Sequence, residues 1–183
     1  MLYTGFMHPG PAAIRYPRGT GPGALVAEDM TALEIGKAVV VRRGQGVALL
    51  NFGTLLPTAI EVAERLDATV VDMRWVKPFD EALVMSMAAE HTLLVTLEEN
   101  AIAGGAGSAV AELLSREATR QGLLQLGLGD AFVDHGSQKE QHAWQGLDAD
   151  SVESSIVRHL AKLDPDQELA SDPEQSAVSL PAS

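Results

Sequence analysis

The chain has 183 residues, enough for one domain with a sizeable core and a tight fit for two, since about 150 residues bury roughly two-thirds of their unfolded surface. Hydrophobic residues make up 46% and charged residues 21%, the balance of a globular protein, and aromatics at 4% leave the packing to Val, Leu, Ala and Ile. A formal net charge of −12 repels phosphate backbones and anionic headgroups, so neither nucleic acid nor membrane is an expected partner, and the lack of cysteine removes disulfides, thiolate metal sites and a Cys nucleophile.

The first residues, MLYTGFMHPG, hold no basic region followed by an apolar stretch, and no apolar run downstream reaches the about 18 residues of a membrane-spanning helix. The expectation is a soluble, cytoplasmic protein. Ala12 to Arg18 reads as a strand without neighbours, and the Gly- and Pro-rich stretch that follows, with mixed signals to Ile35, suits an exposed linker. From Gly36 the pattern turns regular. Lys37 to Arg43 and Val47 to Phe52 read as two strands joined by a hairpin through Gly44-Gln45-Gly46. Thr54 is the expected cap of a helix to Leu66, with Pro57 tolerable in its first turn, and Ala68 to Met73 is a buried strand.

Asp80 caps a second helix through Glu90, with Leu83, Val84 and Met87 inward, and Thr92 to Leu97 is the next strand. The glycine cluster Gly104-Gly105-Ala106-Gly107 opens a third helix from about Ser108 to Ala118, and Leu123 to Leu128 is a further strand. Ser137 caps a short helix, and Asp148 begins a last one to about Leu163 with Val152, Ile156, Val157 and Leu160 on one side. Strands alternating with helices imply a three-layer α/β/α fold with a mostly parallel five-stranded sheet that includes one antiparallel hairpin strand. Residues 164–183 hold five acids, no base and three prolines, the composition of a disordered acidic tail. The expected organisation is therefore 1–18 as the end of a preceding domain, 19–35 as linker, 36–163 as the main domain and 164–183 as tail.

Four groups of residues are chemically interesting. Arg15 and Arg18 flank Tyr16-Pro17 and precede Gly19, so a guanidinium at a strand end could bind phosphate bidentately; the alternative is that both pair with surface acids. Glu98-Glu99-Asn100 ends a buried strand and leads into Gly104, Gly105 and Gly107 at a helix start, where free N–H groups can cradle a phosphate. Two adjacent carboxylates speak against that, and the alternative is that they cap and orient the turn or meet a partner subunit. Asp72, Arg74, Trp75 and Lys77 follow another buried strand; Trp beside Arg suits a docking surface, or the Trp shields the strand end. The five histidines, His8, His91, His135, His142 and His159, have no metal-ligand spacing, and no serine sits in GxSxG.

In order along the chain, Ala13 to Gly19, Leu50 to Thr54, Val71 to Asp80 and Glu98 to Ser108 resemble the C-terminal stretch of the bacterial 1-deoxy-D-xylulose-5-phosphate synthase family, over roughly residues 1 to 163. The resemblance implies a transketolase C-terminal domain fold within a transferase that uses thiamine diphosphate and Mg²⁺ to condense pyruvate with D-glyceraldehyde 3-phosphate, releasing carbon dioxide, for isoprene, thiamine and pyridoxal biosynthesis. It implies a homodimer. By matching position it makes Arg18 the ligand of the aldehyde's phosphate, with Arg15 structural, and the Glu98 to Gly107 segment architecture and dimer packing. Nothing matches the family's cofactor-binding motif or its activating Glu, so the expectation is that Met1 is an internal methionine of a longer parent and that this chain alone is inactive and binds no cofactor. A stand-alone interaction module using the Trp75 and Glu99 surfaces, and the β subunit of a 2-oxo acid dehydrogenase, are the alternatives.

Overall fold

The computed structural model describes residues 1–17 and 29–163, so Arg18, most of the expected linker and the acidic tail lie outside the described residues. In chain order come α1 (Leu2–Met7), β1 (Val39–Arg42), β2 (Val47–Phe52), α2 (Leu56–Leu66), β3 (Thr69–Asp72), α3 (Glu81–Glu90), β4 (Leu93–Ala101), α4 (Ala106–Arg116), β5 (Gly122–Leu128), α5 (Gln138–Trp144) and α6 (Ala149–Leu163). The strands make one sheet in the order β1-β3-β2-β4-β5; β1 runs antiparallel to β3, and every other neighbouring pair is parallel.

Period-two alternation sorts the aliphatic side chains onto two faces. Val47, Leu49, Val70, Leu93, Val95 and Leu97 pack with Ala59 and Val62 of α2 and with Val152 and Ile156 of α6. On the other face Ala48, Leu50, Phe52, Val71 and Leu94 pack with Val84 and Met87 of α3 and with Val110 and Leu113 of α4. Both faces are covered, which is why β2 is buried at all of its positions and is apolar at all of them but Asn51.

The antiparallel strand is present, but it is not half of a hairpin: β1 pairs with β3 instead of β2. Burial decides this. The wholly buried β2 takes a central place between two parallel partners, while the partly exposed β1 is left the edge. Residues 43–46 then cross the amino end of β3, with the Gln45 amide donating to the Asp67 carbonyl at 2.7 Å and the Gly44 amide to Thr69 Oγ1 at 3.0 Å. Glycine is required at 44 because a Cβ there would lie 2.1 Å from that carbonyl oxygen. Arg42 straps the crossing, donating to Asp67 at 2.9 Å and to the Ala68 carbonyl.

Other expectations also change. Residues 12–17 join no ladder, and a short helix, α1, precedes them, attached where the Leu33 amide donates to the buried Thr4 hydroxyl at 2.8 Å. Prolines 11 and 17 remove amide donors from that segment, so a ladder would be incomplete. Thr54 does not cap α2, which opens at Leu55 without a side-chain cap because the Thr54 hydroxyl is committed to Glu99; Pro57 does sit in the first turn. Helix α4 starts at Ala106, earlier than the pattern suggests, and β4 continues through Ala101. On α6, Val157 is 51% exposed, so the buried stripe is Val152 and Ile156 with Leu160 packed beside them. Asp80 and Ser137 cap α3 and α5 as their spacing predicts, the latter in a reciprocal capping box with Glu140.

Candidate functional site

The carboxyl ends of β2 and β4 form the chemically richest region, as expected for an open α/β sheet. Alternation sends the two adjacent glutamates of β4 to opposite faces. Glu98, 3% exposed, turns toward α4, where its Oε2 accepts from the Ala106 amide and its Oε1 from the Gly107 amide, both at 2.8 Å. The helix terminus that would serve as a phosphate cradle is filled by this carboxylate. The glycines make room for it: a Cβ on Gly105 would lie 2.6 Å from the Glu98 carboxylate, and one on Gly107 2.5 Å from Thr96 Oγ1.

Glu99 turns to the other face. Its Oε1 accepts from His142 Nε2 at 2.7 Å and from Gln138 Nε2 at 3.3 Å, its Oε2 accepts from the Thr54 hydroxyl, and its main-chain carbonyl accepts from Arg15 Nη1 at 2.8 Å. Partial burial pushes the Glu99 carboxyl up, but the hydrogen bonds from Thr54, His142 and Gln138 outweigh it and carry the group below its ordinary value. Gln138 and His142 reach one carboxylate oxygen because they stand four residues apart on α5. Around this cluster lies an open cleft of about 660 Å³ lined by Arg15, Tyr16, Thr54, Glu99, His135 and Gln138. Among the described residues, no carboxylate pairs with Arg15, so the surface ion pair entertained for it is not formed there. Asn100 is exposed at the strand's end.

The second group clusters near the carboxyl end of β3. Arg74, in a left-handed conformation with φ 57°, donates through Nε to Asp72 at 3.4 Å. Trp75 is half-buried, and among the described residues its indole N–H has no hydrogen-bond partner. With Lys77, Ile14, Phe52 and Thr4 it lines a mostly apolar cleft of about 710 Å³ against α1. Lys77 is exposed. The sequence reading missed Thr54, Gln138 and His142 as partners of Glu99; the capping box that starts α5 was its one local signal.

Among the described residues no group of three His, Asp or Glu side chains could hold a metal ion, and the α4 terminus is already satisfied by Glu98. No described helix is long and apolar enough to cross a membrane.

Residues 36–152 match the family described as transketolase, C-terminal domain. The chain is 61% identical over 163 residues to the 1-deoxy-D-xylulose-5-phosphate synthase of Cellvibrio japonicus, covering 89% of this chain and 26% of that protein. It is 57% identical over 162 residues to the enzyme of the same description from Vibrio parahaemolyticus, with 88% and 26% covered. A solved structure described as a split gene transketolase, inactive beta4 tetramer, aligns with a TM-score of 0.66 at 32% identity, covering 72% of this chain and 44% of that one. The chain spans about a quarter of the length of the curated relatives it matches.

Proposed function

Because this chain belongs to the transketolase C-terminal domain family, we propose that it is the carboxy-terminal part of a thiamine-diphosphate-dependent synthase that condenses pyruvate with D-glyceraldehyde 3-phosphate to 1-deoxy-D-xylulose 5-phosphate and carbon dioxide. The observation that carries the reading is the 61% identity to a 1-deoxy-D-xylulose-5-phosphate synthase over 89% of the chain. In this reading residues 1–18 end a preceding domain, 19–35 link it to the domain at 36–163, and the synthase works as a homodimer in the cytoplasm. The tetrameric description of a solved neighbour supports self-association.

In this reading thiamine diphosphate and Mg²⁺ are held by other parts of the synthase. What this chain contributes is a cationic handle. Arg18 follows Pro17, a lining residue of the cleft at the ends of β2 and β4, and a guanidinium binds phosphate bidentately without losing its charge. Glu98, Gly105 and Gly107 build the turn, and Asp72, Arg74, Trp75 and Lys77 present a packing surface.

The test is deoxyxylulose phosphate formation from pyruvate and glyceraldehyde 3-phosphate with thiamine diphosphate and Mg²⁺. The synthase carrying this sequence should turn over and this chain alone should not; turnover by the chain alone would defeat the reading. In the synthase, Arg18→Ala should raise KM for the phosphorylated aldehyde about tenfold or more, the loss expected when a charged hydrogen bond goes. An unchanged KM would remove Arg18 from the substrate site.

A further inference from the structure

Glu99 ties together parts of the chain that are remote in sequence: Arg15 before the domain, Thr54 ahead of α2, and Gln138 and His142 on α5. The backbone there needs such ties. From Leu93 to Leu97, β4 is held in regular register by β2 on one side and β5 on the other, but its pairing with β5 shifts between Leu97 and Ala101, and its pairing with β2 ends at Glu98. Glu99 lies in the stretch where the ladder stops fixing the strand, and there its side chain takes three hydrogen bonds while its carbonyl takes a fourth.

We propose that Glu99 is a positioning residue for the substrate cleft: its carboxylate, anchored by His142 and Thr54, fixes the end of β4 so that its carbonyl holds the Arg15 guanidinium and the Tyr16-Pro17 wall in place. The inference rests on the reading above, in which this cleft meets the phosphorylated aldehyde. The lowered carboxyl of Glu99 agrees with it, because an ionised acceptor holds all three donors at once.

The experiment uses the synthase carrying this sequence. Glu99→Gln keeps the side chain's size but offers an amide N–H₂ toward groups that donate. The expected result is a KM for glyceraldehyde 3-phosphate raised about tenfold, as a misplaced binding group produces, with kcat and the KM for pyruvate within about twofold. His142→Ala should give the same split, and the double variant should be no worse than the more damaging single change, because both act through one contact. An unchanged aldehyde KM in both single variants overturns the inference. So does a uniform loss of kcat with a lowered unfolding temperature, which marks a purely structural role. Arg18→Ala, measured beside them, reports separately on the phosphate assignment: a rise there alone leaves the substrate reading standing and sinks Glu99, while a rise for Glu99→Gln and His142→Ala alone supports positioning through Arg15 and sinks Arg18.

Discussion

Replacing Glu98 tests whether the glycine turn is held by a built-in anion. Both carboxylate oxygens are engaged by amides at the start of α4, and the residue is 3% exposed, so water cannot take over either bond. Glu98→Gln leaves one acceptor and turns an N–H₂ toward the other amide, so one charge-assisted bond, worth about 1.5–3 kcal/mol, is lost and one buried donor goes unpaired. Loss of the negative charge at the helix terminus adds about 1 kcal/mol. The sum is about 2.5–4 kcal/mol, and Glu98→Ala, which strands both amides, should cost somewhat more. For a chain of this length about 1 kcal/mol moves the midpoint by about 2–4 °C, so Glu98→Gln should melt roughly 5–16 °C lower. Urea unfolding of the full chain followed by far-ultraviolet circular dichroism should show a lower midpoint at an unchanged slope. If Glu98→Gln stays within about 0.5 kcal/mol of the parent, the geometry of the turn does not depend on the carboxylate and the account of the filled cradle fails.

The turn and the cleft yield further outcomes. Gly107→Ala places a methyl 2.5 Å from Thr96 Oγ1 and 2.9 Å from Gln125 Nε2, so the usual gain of about 1 kcal/mol for alanine over glycine in a helix should be outweighed by overpacking, for a net loss of about 1–2 kcal/mol in the same urea assay. For Glu99 the sign follows from its lowered carboxyl: the stabilisation is complete above the ordinary carboxyl value of 4.5 and is lost as pH falls through the depressed folded-state value. The stability gap between the chain and Glu99→Gln should therefore shrink as pH falls below the ordinary carboxyl value, as measured by urea midpoints across the acid range.

Local chemistry made much of this fold legible. The β-branched and aliphatic runs mark their strands, Asp80 sits three residues before the Leu83 amide it accepts from at 3.2 Å, and Ser137 with Glu140 spells a capping box. What stayed illegible depends on distant partners. The short loop through Gly44 to Gly46 reads as a hairpin until β3, beginning more than twenty residues later, takes the place beside β1. Thr54 has the right chemistry to cap α2, and only the arrival of Glu99, 45 residues on, gives its hydroxyl a different acceptor. Arg15 meets the Glu99 carbonyl across 84 residues, and His142 meets the carboxylate across 43, separations at which composition and spacing carry no signal.

The pair Glu98-Glu99 shows how one elementary rule divides two tasks. Read as a string, adjacent carboxylates beside a glycine turn argue against an anion site through repulsion. Strand alternation places them on opposite faces of β4, so the repulsion is never shared by one ligand. On the α4 face Glu98 is itself the anion that the helix terminus receives, and the close approach of Gly105 and Gly107 fits this carboxylate. On the α5 face Glu99 is reached by Thr54, Gln138 and His142, while its carbonyl holds Arg15. A shift of register by one residue at the end of β4 would put Leu97 and Glu98, or Glu99 and Asn100, in these two places, so that one of them would lose its carboxylate.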